Sequence, residues 1–424
     1  MSSSMKRWLI VILSILLILS ETILDAFKIF KYIDEVLTIS LGLFIIFKLR
    51  YLKKTYRPLY IIFVLYAILV IIGLSNNLIY KVQPSFVAIA IDAIATVKLI
   101  VFVIAAYLLL DINTTALTLK TLSYVGIPFI FVGFVFSIVS LVVDTGMRGQ
   151  LRFNIYGFNF VFEQAHTYTM VVLFFTIILT FTIKNKVKLY RFYFYAIVQT
   201  VLTLKGPSFI WCALLVLFLL YFKKTRKINI FALVIVGLVA LSLGTYQIQT
   251  YFLDPTAPRA KLLIYGFETL KSFNYFGSGF ATYGSYAAAK YYSPLYIEYG
   301  FEGSYGMSSY DYQFLMDTYW PMLMGQFGII GTLIVAFAAL YFFRLIQKRK
   351  MPYQSKAVLF ACYFYLLIHS LGSSSPTISM AALLGVGMVI LTRAEEYRIL
   401  YARYVYERKE EKSTQKVGKP ASAI

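Results

Sequence analysis

Apolar residues in this chain come in long runs, not in the alternating or one-faced patterns of soluble elements. Runs of roughly 16–25 residues, about what a helix needs to cross a bilayer, recur from end to end with short polar breaks between them. Their approximate bounds are 8–25, 34–49, 58–76, 86–110, 119–143, 164–183, 190–204, 207–222, 228–248, 318–343, 356–371 and 376–393. The pattern predicts an all-α polytopic integral membrane domain over 1–393 with about twelve transmembrane helices. A tail over 394–424 follows, whose i,i+4 charge pairs predict a short helix and then a polar, disordered end. The first run follows a charged start, MSSSMKRWLIVILSILLILSETILDAF (1–27), without a small-x-small cleavage site, and reads as a retained helix.

Charge orients these runs. Lys and Arg gather at 48–57, 184–191, 223–227, 344–356 and from 393 onward, that is, in alternate breaks. By the positive-inside rule those breaks and both termini are cytoplasmic. On the opposite side two loops stand out. One covers about 144–163. The other, about 249–316, is much longer and is rich in Tyr, Phe and Gly. A long loop with its own patterning is more often functional than a linker.

Composition agrees with a lipid solvent: of 424 residues, 60% are hydrophobic and only 14% charged. The net charge of +21 sits in the cytoplasmic breaks and forms no basic stripe, so nucleic acid is not an expected partner. The two cysteines, Cys212 and Cys362, lie inside apolar runs and suggest neither a disulfide nor a metal site.

The chemistry-bearing residues are few. In DTYWPMLMGQFGIIG (317–331), Asp317 stands just before Pro321 at the outer end of a run. Capped by Ser308 or Ser309, a helix reaching Phe343 would project Asp317 above the lipid, with Pro321 kinking or starting the spanning part. There Asp317 reads either as a helix-terminal acid satisfied by the dipole or as a group acting on a lipid-linked substrate. Gly325, Gly328 and Gly331 read as a small-residue face for helix packing. Outward cations oppose the charge bias: Arg148 and Arg152 in the smaller loop, Arg259 and Lys261 in the larger, and Lys205 in TLKGPS (203–208). An arginine fork suits phosphate; headgroup snorkelling or an ion pair with Glu163 or Glu268 is the plainer account. The tyrosines around Tyr283, Tyr291 and Tyr305 suit either the membrane interface or the faces of sugar rings. His166 and His369 lie near outer ends but have no metal-ligand spacing. Asp92 and Lys98 are charges inside a run; six positions apart, they call for partners on other elements.

These residues together resemble the O-antigen polymerase and O-antigen ligase superfamily of bacterial membrane glycosyltransferases. The likeness rests on the layout of spans with one large outer loop, on RGQLRFN (148–154), on TLKGPS, and on GSGFATYG (277–284) followed by 317–331. The resemblance implies a GT-C-like fold in the bacterial cytoplasmic membrane and polymerisation of undecaprenyl-diphosphate-linked repeat units at its outer face. The products would be capsular polysaccharide, exopolysaccharide or O-antigen. Asp317 would be the general base, although Asp311 is a second candidate. Arg259, with Arg152 or Lys205, would bind the diphosphate, and Arg148 and Lys261 are further candidates. Tyr283, Tyr291 and Tyr305 would line a glycan groove. No cofactor or metal is called for, and a flippase and a chain-length regulator are candidate partners. Ligases of this family usually carry a His eleven residues before the first Gly of a Gly-x-x-Gly pair. Asp317 stands there before Gly328 and Gly331, which favours a polymerase. A flippase or exporter of lipid-linked sugars, the ligase, and a non-catalytic assembly protein are the other readings. An exporter would need more intramembrane charge and no dominant loop.

Overall fold

In hydrocarbon a helix satisfies every backbone N–H and C=O within its own segment, and the apolar runs of this chain fold as helices. The computed structural model describes residues 2–22, 33–152, 154–225 and 227–417. In chain order the helices are α1 (Ser3–Leu19), α2 (Ile33–Phe47), α3 (Leu49–Thr55), α4 (Arg57–Tyr80), α5 (Phe86–Leu109), α6 (Ile112–Val142), α7 (Ala165–Thr182), α8 (Lys186–Val201), α9 (Gly206–Lys224), α10 (Ile230–Ile248), α11 (Pro258–Ser272), α12 (Tyr286–Lys290), α13 (Pro294–Glu298), α14 (Trp320–Lys348), α15 (Tyr353–His369) and α16 (Ser379–Val417). Among the described residues six are long and apolar enough to cross a membrane: α4, α5, α6, α7, α9 and α14. The chain is thus an all-α, multi-pass membrane protein. One departure from all-helix is an antiparallel hairpin, β1 (Arg148–Arg152) and β2 (Ile155–Phe158), in the smaller loop.

Helix α7 is the axis of the bundle. It is buried along most of its length and packs on α6, α8, α15 and α16. Helix α9 lies against α15, α5 against α2 and α16, and α4 against α14. The outward faces remain apolar, for example Ile71, Leu78, Phe131, Val142, Leu333 and Leu340, as a surface bathed in lipid requires.

Helix ends gather at two poles. At one, Lys6 pairs with Asp111 at 2.8 Å, Arg393 donates to the Leu110 carbonyl at 3.1 Å, and Arg349 reaches Glu396 at 3.2 Å. The first helix and the apolar part of the last therefore reach the same pole. At the other, the hairpin and the segment between α10 and α14 form a cap. The cap has its own small core, built on Leu262, Tyr283, Tyr296, Phe301, Met307 and Leu315.

The intramembrane charges find partners on other elements, as their spacing requires. Lys98 of α5 pairs with Asp34 of α2, and the Ser379 hydroxyl at the start of α16 donates to the same carboxylate at 2.5 Å. Asp92 accepts the Ala281 N–H at 2.5 Å.

Several boundaries differ from the sequence reading. Helix α6 starts at Ile112, because Asp111 caps it by accepting the Thr114 N–H at 2.8 Å. Helix α16 runs without a break through 393/394, so the helix expected in the tail continues the last apolar one. Residues 418–424, where a disordered end is expected, lie outside the described residues. No helix begins at Ser308 or Ser309: that stretch is a series of turns, and α14 starts at Trp320 with Pro321 in its first turn, where proline's missing N–H is harmless.

The bend in α14 falls at Gly328, not at Pro321. Gly328 has φ +65° and ψ −163° inside the helix. The break frees the carbonyls of Gly325 and Gln326, which accept the N–H groups of Ser278 (2.8 Å) and Gly279 (2.9 Å), while Ile329 N–H donates to the Tyr275 carbonyl at 3.0 Å. A cap loop over 275–285 is thereby laid into the helix. Asn77 of α4 holds its other side, donating to the Phe280 carbonyl at 3.0 Å and accepting its N–H at 2.8 Å. The glycine run thus serves close approach, as its composition suggests, but mainly to this loop: Gly325 lies under the Tyr283 ring and Gly328 under the 275–276 backbone, while Gly331 faces Leu69 of α4. A Cβ at Gly328 would sit 2.5 Å from the Phe276 carbonyl carbon, with a positive φ besides. Gly328→Ala is expected to cost more than about 2 kcal/mol, read as a clear drop in the melting temperature of the detergent-extracted protein. Gly303→Ala, where nothing lies within 4 Å, should leave it unchanged.

Candidate functional site

Four of the residues singled out in the sequence meet at the cap pole. Arg259 is in the first turn of α11, which starts at Pro258 after a π-helical turn over Gln249–Leu253. Its guanidinium lies over the Tyr251 ring at 5.0 Å and rests on Gly372, where an added Cβ would be 3.3 Å from Cζ. Arg259 Nη2 donates to Asp317 Oδ2 at 3.0 Å. The Arg259 Nε–H is buried without a partner. Arg259 therefore uses one corner of its fork on a carboxylate and keeps other donors free.

Asp317 sits in a bend just ahead of α14, and its flanks are strapped to the segment after α15. Ser374 N–H donates to the Met316 carbonyl (3.0 Å), Tyr319 N–H to the Ser370 carbonyl (3.3 Å), and Trp320 Nε1 to Ser370 Oγ (3.1 Å). Burial pushes the Asp317 carboxyl above the usual carboxylate range, while the charges of Arg259 and Lys205 pull it back. An acid in that state is a better proton acceptor than a free one.

Lys205 occupies the tight turn between α8 and α9. Its carbonyl accepts the Ser208 N–H at 3.0 Å, and a chain of hydroxyls, Thr203 to Ser208 and Ser208 with Thr169, each at 3.0 Å, stiffens the turn from behind. Burial, then the neighbouring charge of Arg152, bring its ammonium down to about 8. Arg152 ends β1, and its Nη1 lies 3.5 Å from the Leu204 carbonyl. The hairpin is fixed to this turn by the Phe158 N–H, which donates to the Leu202 carbonyl at 2.8 Å. Arg152, Lys205, Arg259 and Asp317 thus share one electrostatic neighbourhood, with three cations against one acid.

The other expected site residues lie elsewhere. Arg148 donates to the Ser140 carbonyl at 2.8 Å and covers the Tyr156 ring. Lys261 bonds Ser304 Oγ at 2.7 Å on the cap. Asp311 belongs to a cap turn with Ser308. Tyr283 cannot line a glycan groove in this arrangement: it is fully buried in the cap core and donates its hydroxyl to the Leu262 carbonyl at 2.6 Å. Tyr291 is half-buried, and Tyr305 is 78% exposed against Phe314.

Two contributions were not legible as a unit. His166 and His369 bring their rings to 5.0 Å of each other beside Lys205 and Arg259. His369 also stacks on Tyr365, and its Nδ1 is buried without a partner. Their shared outer position was the only sequence signal. Among the described residues no three His, Cys, Asp or Glu side chains converge as a metal cage.

The second contribution is a cleft of about 180 Å³, open to its surroundings and walled by apolar side chains such as Leu99, Val103, Val335, Phe342, Leu366 and Met388. Tyr319, Trp320 and Ser370 edge it at the cap pole, next to Asp317, and Tyr56, Arg349 and Arg393 at the opposite pole. Helix α14, 29 residues long and bent at Gly328, contributes Trp320 at one end of the cleft and Ile346 towards the other. No family model matches the chain, and no curated protein matches it.

The arrangement can hold a polyanion on fixed cations beside a raised carboxylate, with an apolar chain trailing into the cleft. Lys205 is charged below about pH 8 and neutral above it. Binding of inorganic pyrophosphate to the purified protein should therefore weaken as pH rises from 7 to 9. In Lys205→Arg, whose charge persists across that range, the fall should be smaller.

Proposed function

We propose that this protein polymerises undecaprenyl-diphosphate-linked oligosaccharide repeat units at the outer face of a bacterial cytoplasmic membrane. The observation that carries the reading is the meeting of Arg152, Lys205, Arg259 and Asp317, from four separate chain segments, next to one end of the apolar cleft. An anionic head and a long apolar tail are what such a site accommodates. In this reading the cap pole is extracytoplasmic and both termini are cytoplasmic. Helices α1, α2, α8, α10 and α15 and the apolar start of α16 complete twelve crossings.

In the reaction the acceptor hydroxyl oxygen attacks the anomeric carbon of the donor sugar, and its proton passes to the Asp317 carboxylate. The bond from that carbon to the diphosphate oxygen breaks, and the electron pair leaves on the diphosphate. Arg259, Lys205 and Arg152 stabilise the charge that develops there, which is often the largest single contribution to such a rate. The intramembrane charges Lys98, Asp34 and Asp92 are engaged with protein partners and do not line the cleft, which weighs against an exporter.

The test is polymer length in a strain lacking the native gene and complemented with wild type, Asp317→Asn or Arg259→Ala at matched membrane levels. Wild type should restore long chains. Each variant should leave single lipid-linked repeats, a loss of at least about a hundredfold in transfer. Full-length polymer from both variants would remove the site assignment, and long chains in the strain without the gene would remove the polymerase reading.

A further inference from the structure

The chain has two histidines, one at the start of α7 and one at the end of α15, and the fold brings both to the cationic site. Their ring centroids are 5.0 Å apart. The charge of Lys205 reaches both rings, and that of Arg259 reaches His369. His369 is only 6% exposed. Among the described residues neither ring has a hydrogen-bond partner. Their neighbours on α7 are satisfied: Tyr168 donates to Gln199, and Thr169 shares a hydrogen bond with Ser208 at 3.0 Å. Buried polar side chains are nearly always paired, so two adjacent exceptions call for an account. Of the four ring nitrogens His369 Nδ1 is closed off; the other three are open to a ligand.

Charge is not what this pair adds, because Arg152, Lys205 and Arg259 already supply it. What an imidazole adds is a donor and an acceptor on one ring. A diphosphate oxygen only accepts, and has no use for the acceptor nitrogen. A hydroxyl donates and accepts, and uses whichever nitrogen it meets. In a lipid-linked repeat unit the group bonded to the diphosphate is a sugar, and hydroxyls are its chief polar groups. We propose that His166 and His369 form the subsite for the hydroxyls of the sugar bonded to the diphosphate held by Lys205 and Arg259. This rests on the polymerase reading and deepens it by placing the donor's first sugar. The cations fix the leaving group and the histidines fix the sugar it leaves, so the anomeric carbon between them is held in one orientation. Asp317 remains the base, and no proton passes through the pair.

The test compares three probes on the full-length protein in detergent, at pH 7 and fixed salt. They are inorganic pyrophosphate, farnesyl diphosphate, and the lipid-linked repeat unit extracted from the host strain lacking the gene. Wild type should bind all three. His166→Phe and His369→Phe should each weaken binding of the repeat unit about tenfold and leave the two sugar-free probes unchanged. His166→Gln and His369→Gln, which keep a donor and an acceptor, should recover part of the loss. A melting temperature for each variant confirms folding, and should a phenylalanine variant fail to fold, the leucine variant takes its place. Equal loss for all three probes would put the pair in the anion site. No loss for any would make it a structural contact between α7 and α15, and a loss that glutamine does not ease would be packing alone. Each of these overturns the sugar subsite and leaves the polymerase reading standing. Failure of wild type to bind either sugar-free diphosphate, or absence of a lipid-linked repeat unit from the strain lacking the gene, would overturn that reading and the subsite with it.

Discussion

A backbone carbonyl released inside or beside hydrocarbon must find a new donor within the protein, and this structure depends on how that demand is met at Gly328. The break in α14 would leave the Gly325 and Gln326 carbonyls bare. The 275–285 loop supplies Ser278 and Gly279 N–H groups to them and receives the Ile329 N–H in return. Because the exchange is mutual, neither the helix break nor the loop is stable without the other. The cap is joined to the bundle by the same hydrogen bonds that allow the helix to bend. Asp92, Asn77 and Gln83 secure the far side of the loop. The paired groups of the candidate site stand on both of the parts so joined, Arg259 on the cap and Asp317 at the head of α14.

This division shapes the site. Lys205 and Arg152 come from the hairpin and the α8–α9 turn, which are tied to each other. Arg259 comes from α11, and Asp317 from a strand of chain strapped to the end of α15. No two of these supports are consecutive in sequence. Three cations near one another repel, and a single acid among them offsets only part of that repulsion. An arrangement of this kind has an unmet demand for anions, and its placement at the end of an apolar cleft restricts which anions reach it.

The sequence made part of this legible. Charge is costly in so apolar a chain, so each charged residue outside the cytoplasmic breaks stood out, and topology put Arg152, Lys205, Arg259 and Asp317 on one side before any geometry was known. The all-helical, multi-pass character followed from run length alone. Of the two roles open to Pro321, starting the spanning helix is the one it takes, as proline suits a first turn, whereas the cap offered by Ser308 or Ser309 starts no helix. The break at Gly328 could not be read, since it depends on a loop some fifty positions earlier offering its N–H groups. Tyr283 failed as a sugar-binding residue for a similar reason: a tyrosine suits a groove and a core equally, and only packing decides. The His166–His369 pair joins distant segments and has no local pattern to betray it.

The staple between Lys98, Asp34 and Ser379 has a consequence for how the chain is made. A lone ammonium entering the bilayer on α5 would be strongly opposed. Helix α2 emerges earlier from the ribosome, so a counter-ion already stands in the membrane when Lys98 arrives. The ion pair joins α2 to α5 while the later helices are still unmade. Helix α16 emerges later than both and presents Ser379 to a carboxylate that is already occupied. That later helix is thus received by a finished docking point, and the order of synthesis becomes the order of assembly.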